Sequence, residues 1–136
     1  YQILEARMHG ADAILLIVAM LDKPNLHELI QVCRELWLQA LVEVHNEVEM
    51  DQALSAGAEI IGINHRDLKT FDVDMSVSTR LRSMVPQGKI LVAESGINSR
   101  EQVAALKAIG INAILVGEAL VTADDTEQKV RELSSV

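Results

Sequence analysis

The sequence predicts an α/β protein built on a parallel β-sheet, and three observations support that prediction. A helix-to-strand unit recurs along the chain, the predicted strands are continuous aliphatic runs, and helical patterns lie between them. Strands of this kind belong to parallel sheets covered by helices, with right-handed crossovers. The 136 residues are expected to form one domain, 1–136, because no Pro-rich or Gly-rich linker divides them.

The recurring unit begins with a glycine that ends a helix. It occurs three times without gaps, as GADAILLI from Gly10, GAEIIGIN from Gly57 and GINAILVG from Gly110. In each copy the glycine suits the left-handed position after a helix, and an aliphatic run then enters the sheet. The spacing of the copies, about 50 residues, indicates a repeated architecture.

Hydrophobic spacing and capping residues predict the individual elements. Strands are predicted near residues 13–18, 40–45, 60–64, 90–94 and 113–117. Amphipathic helices are predicted over 25–38 and 99–109, with Asn25, Asn46 and Ser99 marking helix starts. About five strands fit either an open doubly wound sheet or part of a closed barrel, and periodicity does not choose between them.

Composition and charge exclude several classes of protein. A net charge of -8 and a pI near 4.9, without a cluster of Lys and Arg, argue against a nucleic-acid partner. The longest apolar run, ADAILLIVAML, is too short to span a bilayer and contains Asp12, so no membrane partner is expected. The single cysteine, Cys33, cannot form an internal disulfide, which favours a reducing cytoplasmic location.

Polar side chains are concentrated where the predicted strands lead into helices. The opposite ends of the strands, in GADA, GAEI and GINA, are small and repetitive. Ligands bind at the carboxyl ends of the strands in both parallel architectures, so the sequence predicts that the exit residues face a substrate. The exits carry Glu43 and His45; Asn64, His65, Arg66 and Asp67; Glu94, Ser95 and Gly96; and Gly117 and Glu118.

Glu43 is the leading catalytic candidate among these residues. Alternation places it on the same side of its strand as Leu41 and His45, inside an aliphatic run. A buried carboxylate needs either a fixed partner or a raised pKa suited to proton transfer, and an ordinary bond to a lysine or to backbone is the alternative. Asn64, at the end of the next strand, is expected to lie near Glu43.

The last two exits predict a site for an anion. Ser95-Gly96 and Gly117-Glu118 both precede helices, where free backbone N–H groups and a glycine suit a phosphate held between adjacent loops. Two ordinary tight turns are the alternative interpretation. A small phosphorylated molecule is therefore the expected partner.

The remaining polar exit residues have less specific interpretations. Arg66 is a candidate partner for a substrate carboxylate, although a surface ion pair is common for such a residue. His45 and His65 could suggest a metal, but no His-x-x-x-His pattern or paired Cys accompanies them. We therefore expect no metal site.

Five motifs in order resemble those of the indole-3-glycerol phosphate synthase family: LLIVAML, ALVEVHN, IIGINHRDLKTFDVD, ILVAESGI and AILVGEAL. The resemblance runs over essentially the whole chain, and the string GIN-x-RDL-x-TF-x-VD is highly specific. It implies a (β/α)8 TIM barrel of tryptophan biosynthesis, of which this chain would supply about five βα units. It also implies a lyase, which closes 1-(2-carboxyphenylamino)-1-deoxyribulose 5-phosphate to indole-3-glycerol phosphate with loss of carbon dioxide and water, without a metal or organic cofactor.

The resemblance also implies roles for single residues. Glu43 in LVEVH matches the family's catalytic glutamate, and Asn64 in GIN-x-RDL matches its active-site asparagine. Glu94 and Ser95 in ESGI match further residues of the catalytic site. Arg66 matches an arginine near the anthranilate ring of the substrate, and the other binding residues match the phosphate site. The implied binding set is Arg66, Ser95, Gly96, Gly117 and Glu118.

The chain departs from the family in one large respect. It begins in a helical pattern with no strand before it, so the family's first three βα units, with catalytic lysines and another glutamate, are expected to be missing. We therefore expect this chain alone to be largely inactive, and its open sheet edges to favour self-association. Two alternatives remain: another phosphate-binding barrel, such as phosphoribosylanthranilate isomerase or a tryptophan synthase alpha-type enzyme, and a non-catalytic half-barrel module.

Overall fold

Five strands alternate with helices along the chain in the computed structural model, which describes all of residues 1–136. The strands are β1 (Ala13–Ile17), β2 (Gln39–Val44), β3 (Ile60–Asn64), β4 (Ile90–Glu94) and β5 (Ala113–Leu115). The helices are α1 (Gln2–Met8), α2 (Lys23–Glu35), α3 (Glu47–Ser55), α4 (Ser76–Arg82), α5 (Arg100–Ala108), α6 (Glu118–Val121) and α7 (Thr126–Ser134), with a 3-10 turn at Val18–Met20. The five strand predictions are confirmed. None of the helices combines the length and apolarity needed to cross a bilayer.

The sheet is parallel, and its strands lie side by side in chain order from β1 to β5. A doubly wound sheet reverses its strand order and carries helices on both faces. An unbroken order with right-handed crossovers instead places every helix on the same face. The sheet is therefore of the barrel type, with open edges at β1 and β5, which decides between the two architectures that periodicity allows.

Burial alternates along the strands as this arrangement requires. The side chains that face the helices are at most 1% exposed in the three central strands, at Val42, Val44, Ile61, Ile63, Leu91 and Ala93. On the opposite face Leu15, Ile90 and Leu115 remain 47%, 46% and 49% exposed. One face of the sheet thus carries the core, and the other is open.

The core contains aliphatic side chains, together with Met50 and Cys33. The three aromatic residues all lie outside it, and their exposed fractions are 90% for Tyr1, 86% for Trp37 and 65% for Phe71. Small and branched side chains such as Val42, Ala53 and Ile61 fill the space between sheet and helices instead. The interior is therefore built without aromatic side chains.

The caps confirm most of the predicted helix boundaries and correct one. Asn46 caps α3 by accepting the Glu49 N–H, and Ser99 forms a capping box with Gln102 at the start of α5. The prediction for Asn25 is wrong, because Asp22 caps α2 and accepts the Asn25 N–H at 2.9 Å. Pro24 is tolerated in the first turn of a helix, so the cap precedes it.

A tryptophan occupies the position after α2 that glycine occupies in the recurring unit. Gly10, Gly57 and Gly110 follow their helices with φ of 85°, 86° and 87°, and Trp37 follows α2 with φ of 58°. The bonds that end the helix are of the same kind, since Trp37 N–H donates to the Arg34 carbonyl at 3.1 Å. A left-handed conformation is costly for any residue with a Cβ, so this turn is strained.

We expect Trp37→Gly to raise the free energy of unfolding by about 1 kcal/mol, because it removes the left-handed strain while the greater flexibility of unfolded glycine offsets part of the gain. Little packing is lost, since the ring is 86% exposed. Urea unfolding followed by circular dichroism at 222 nm measures the change. Trp37→Ala is the matched control, and it should leave the stability nearly unchanged because alanine keeps the strain. A destabilised glycine variant would contradict this account.

Candidate functional site

Three neighbouring strands bring polar side chains together on the open face of the sheet, near its carboxyl edge. Glu43 comes from β2, Asn64 from β3 and Glu94 from β4, with exposed fractions of 5%, 9% and 5%. In the sheet Glu43 lies opposite Gly62, and Asn64 lies opposite Glu94. Alternation therefore directs the three side chains to the same face, and the predicted proximity of Asn64 to Glu43 is confirmed.

Gly62 makes room for the Glu94 carboxyl group. A Cβ at position 62 would lie 2.0 Å from Oε1 of Glu94, which is far closer than two such atoms can approach. The Glu94 side chain therefore extends over the β3 backbone towards β2, where Glu43 lies. A glycine inside a strand commonly marks such a close approach.

The two carboxyl groups titrate in opposite directions. Burial, together with hydrogen bonding to Glu43 and repulsion by its charge, raises the pKa of Glu94 to about 8. Burial also acts to raise the pKa of Glu43, but hydrogen bonds with His45, Glu94 and Asn64 outweigh it and lower that pKa. Near neutral pH the pair thus carries one negative charge and shares one proton.

Two residues of the β3 exit serve the protein itself, contrary to the prediction that all four face a substrate. His65 is 2% exposed, and its Nδ1–H donates to the Ser95 carbonyl at 2.9 Å while Nε2 accepts from the Ser78 hydroxyl at 2.7 Å. Burial lowers the pKa of His65, so the ring is neutral. Asp67 accepts the N–H groups of Lys69 and Thr70 and shapes its own loop. Only Asn64 and Arg66 of this exit reach the open face or the adjoining cavity.

A cavity of about 610 Å³ lies at the exits of β3, β4 and β5, and Ser95 in its wall directly follows Glu94 in the chain. It is lined by all five predicted binding residues: Arg66, Ser95, Gly96, Gly117 and Glu118. An ion pair crosses its mouth, since Nη2 of Arg66 lies 2.7 Å from Oε2 of Glu118. The Glu118 side chain is 75% exposed, so it is free to swing away.

The backbone that lines this cavity has the features of an anion site. Ser95 and Gly96 both have left-handed φ, of 67° and 72°. For Ser95 this conformation is strained, and the bond from His65 to its carbonyl holds it. A Cβ at Gly96 would lie 2.3 Å from Val73, so glycine is required there. The backbone N–H groups of Gly96, Ile97 and Gly117 donate to no acceptor within the protein, and can therefore bind a ligand oxygen.

Sequence reasoning missed two contributors to this site. Gly62 stands out in the sequence only as part of a repeat, although a glycine within an aliphatic strand indicates close approach by another group. His45 is interpreted from the sequence as a strand-exit residue and a possible metal ligand, with no role towards Glu43, but its Nε2 lies 3.3 Å from Oε1 of Glu43. Only the spatial arrangement reveals that contact.

We expect the free energy of unfolding to fall as the pH rises from 6.5 to 8.5. Folded Glu94 keeps its proton up to about pH 8, whereas an unfolded glutamate loses it near pH 4.5, so the folded state binds more protons throughout this window. The slope is then negative, by up to about 1.4 kcal/mol per pH unit. The raised pKa of His45, caused mainly by its hydrogen bond with Glu43, acts in the same direction. The lowered pKa of His65 affects the free energy of unfolding only below pH 6.5, the pKa of an unfolded histidine, and therefore outside this window.

Urea unfolding at a series of pH values measures this slope, and Glu94→Gln should remove most of it. Glu59→Gln is the control, because Glu59 pairs with Arg34 at 2.8 Å at the opposite end of the sheet. A slope that persists unchanged in Glu94→Gln would show that another group is responsible.

Comparisons with known proteins point to a single family. Residues 1–133 match the family described as Indole-3-glycerol phosphate synthase. A relative of that name from Roseiflexus sp. is 53% identical over 135 residues, which cover 98% of this chain and 50% of the relative. One from Dehalococcoides mccartyi is 49% identical over 133 residues, covering 98% of this chain and 51% of the relative. The chain thus spans about half the length of the curated relatives it matches.

Solved structures share the fold at low sequence identity. The 3-hexulose-6-phosphate synthase from Salmonella typhimurium is 18% identical with a TM-score of 0.73, and the match covers 97% of this chain and 65% of that one. KGPDC from Streptococcus mutans is 14% identical with a TM-score of 0.73, and the match covers 98% of this chain and 64% of that one. These likenesses support the barrel-type architecture.

Proposed function

The chain belongs to the indole-3-glycerol phosphate synthase family, and we propose on that premise that it forms the part of the enzyme that binds the substrate phosphate and transfers protons during ring closure. The reaction closes 1-(2-carboxyphenylamino)-1-deoxyribulose 5-phosphate to indole-3-glycerol phosphate with loss of carbon dioxide and water. The observation that carries the proposal is the buried pair of Glu43 and Glu94 beside a cavity lined with unpaired backbone N–H groups.

The carboxyl pair suits the proton transfers of this reaction. Ring closure requires an acid at the ketone oxygen, and the later dehydration requires a base and an acid. An ionised Glu43 beside a protonated Glu94 supplies one of each at neutral pH. Asn64, bonded to Glu43, is proposed to hold that carboxylate in place.

The adjoining cavity suits the two anionic groups of the substrate. The N–H groups of Gly96 and Gly117, together with the turn at Ser95, are proposed to hold the phosphate. Arg66 is proposed to leave Glu118 and bind the substrate carboxylate, since a guanidinium and a carboxylate make two parallel hydrogen bonds. Glu118 is then proposed to contribute to phosphate binding through its backbone, not through its side chain.

This chain alone is proposed to be largely inactive. The polar groups that act on Glu43 and Glu94 are His45, Asn64 and the two carboxyls themselves, with no lysine among them. His45 is held between Glu43 and Glu49, so a cation free to act on the substrate must then come from outside these residues. We propose that it comes from the half of the family enzyme that this chain does not match.

A chimera tests this proposal. The 135 residues of the Roseiflexus relative that match are replaced by this chain, and turnover is followed by chromatography of indole-3-glycerol phosphate. We expect activity in the chimera, negligible activity in the isolated chain, and a loss of about 100-fold or more in kcat for Glu43→Gln in the chimera, the usual cost of losing a proton-transfer group.

The control in the chimera is Glu59→Gln, the same chemical change at the opposite end of the sheet. Full activity in Glu43→Gln would remove the catalytic assignment and favour a non-catalytic module. Turnover of the phosphoribosylanthranilate isomerase substrate in place of the ring-closure substrate would assign the chain to another barrel of the same pathway.

We also propose that isolated chains associate through the open sheet. β1 and β5 each have an unpaired edge, and Leu15 and Leu115 expose nearly half of their surface on the open face of these strands. Unpaired edges with apolar side chains commonly pair with another copy.

We expect the mass measured by light scattering to rise above that of the 14.9 kDa monomer as the protein concentration increases. Leu115→Lys should shift the population towards monomer, because it places a charge on the open face of an edge strand. Val48→Lys is the control, since Val48 is 66% exposed on α3 and lies outside the sheet. A monomer at every concentration would refute the proposal.

The cytoplasm is the proposed location. Cys33 is unpaired and fully buried between the sheet and the helices, and burial raises the pKa of its thiol. A thiol of this kind is an inert part of the core and needs no oxidising compartment.

A further inference from the structure

The imidazole of His45 lies between two carboxyl groups. Its Nδ1–H donates to Oε2 of Glu49 at 3.0 Å, and its Nε2 lies 3.3 Å from Oε1 of Glu43. The backbone N–H of His45 also donates to Oε2 of Glu49, at 2.8 Å. The His45 side chain is only 11% exposed. A carboxylate on each side of the ring favours the cationic form, although Nε2 lies only within ion-pair distance of Glu43 and makes no hydrogen bond with it.

The cap of α3 holds Glu49 in this arrangement. Oε1 of Glu49 accepts from Nδ2 of Asn46 at 2.7 Å, and the Glu49 N–H donates to Oδ1 of Asn46 at 3.0 Å. The contacts therefore run without a gap from the helix cap through Glu49 and His45 to Glu43. The hydrogen bond from Nδ1 to Glu49 fixes the orientation of the ring, and Nε2 then faces Oε1 of Glu43.

Glu94 has no comparable partner. Its Oε1 lies above Gly62, is buried, and has no hydrogen-bond donor within reach. The neighbouring polar side chain is Glu43, and two carboxylates form a hydrogen bond only if one of them carries a proton. Two buried carboxyl groups that repel each other when charged cannot both ionise freely.

We propose that His45 is a positioning residue which, held by Glu49, keeps the negative charge of the pair on Glu43 and leaves the shared proton on Glu94. The catalytic part of this inference rests on the proposed function, because the location of the proton decides which carboxyl group begins as the base and which as the acid. The protonation itself is a property of the chain and does not depend on turnover.

The charges around the pair are consistent with this assignment. On β1, Ile17 lies opposite Glu43 and is apolar, and β3 contributes only the neutral Asn64. His45 on β2 supplies the positive charge that acts on both carboxyls. Behind it lies Glu49 of α3, and Asp67 in the loop after β3 also interacts with the His45 charge. Because Nε2 of His45 lies 3.3 Å from Oε1 of Glu43, its charge favours ionisation of Glu43 first.

The test is a pH titration of the isolated chain, labelled with 13C at the glutamate carboxyl carbons and followed by NMR. Glu94→Gln and Glu43→Gln assign the two resonances. In the unmodified chain we expect Glu94 to titrate near pH 8 and Glu43 below 4.5. In His45→Gln, which keeps a side-chain N–H donor but loses the charge, the Glu43 midpoint should rise and the two midpoints should approach each other by about one pH unit or more.

Two further variants separate positioning from folding. Glu49→Gln leaves the His45 ring in place but removes the carboxylate that holds it. We expect the Glu43 and Glu94 midpoints to approach each other, as in His45→Gln, but by a smaller amount. His9→Gln is the control, because His9 is exposed after α1, and both midpoints should stay unchanged. Amide spectra of each variant show whether the fold is retained, and only folded variants are compared.

The inference is overturned if folded His45→Gln and Glu49→Gln both leave the midpoints where they were, or if Glu43 proves to carry the proton in the unmodified chain. Failure of the proposed function has a different signature. In that case Glu43→Gln is fully active in the chimera, while the separated midpoints and their response to His45→Gln persist in the isolated chain.

Discussion

The packing of helices on one face of a parallel sheet is the constraint on which the other features depend. Val42, Val44, Ile61 and Ile63 face the helices without any exposed surface, so every alternate residue is directed to the opposite face. A shift of one residue in any strand would exchange these two sets. The core therefore determines which polar side chains can meet at the carboxyl edge.

Several features at that edge reduce the stability of the fold. Two carboxyl groups are buried next to each other, Ser95 has a left-handed backbone, and Gly62 occupies a strand interior, where glycine weakens a strand. Neighbouring side chains stabilise two of these features: His65, directly after β3, donates to the Ser95 carbonyl, and Glu49 of α3 holds His45 beside Glu43. Such costs are typical of sites whose geometry must exist before the ligand arrives.

Much of this arrangement could be predicted from the sequence, and the failures have physical causes. Strand positions and the caps at Asn46 and Ser99 follow from local spacing, so they are predictable. Strand order is not a local property, and periodicity alone left two architectures open. The alternation that places Glu43 correctly also predicts that Asn64 and His65 face opposite sides, yet the polar run suggested that both meet a ligand. The contact of His45 with Glu43 depends on side-chain orientation, which spacing does not record.

The absence of aromatic side chains from the core determines how this molecule can be observed. Tryptophan emission arises from Trp37, and near-ultraviolet dichroism arises from Trp37, Tyr1 and Phe71. All three side chains are exposed to solvent and lie outside the packed core. A loosened interior would therefore leave these optical signals almost unchanged, and the usual evidence for a molten state would be missed. Methyl resonances of the valine, leucine and isoleucine side chains are the natural reporters of the interior.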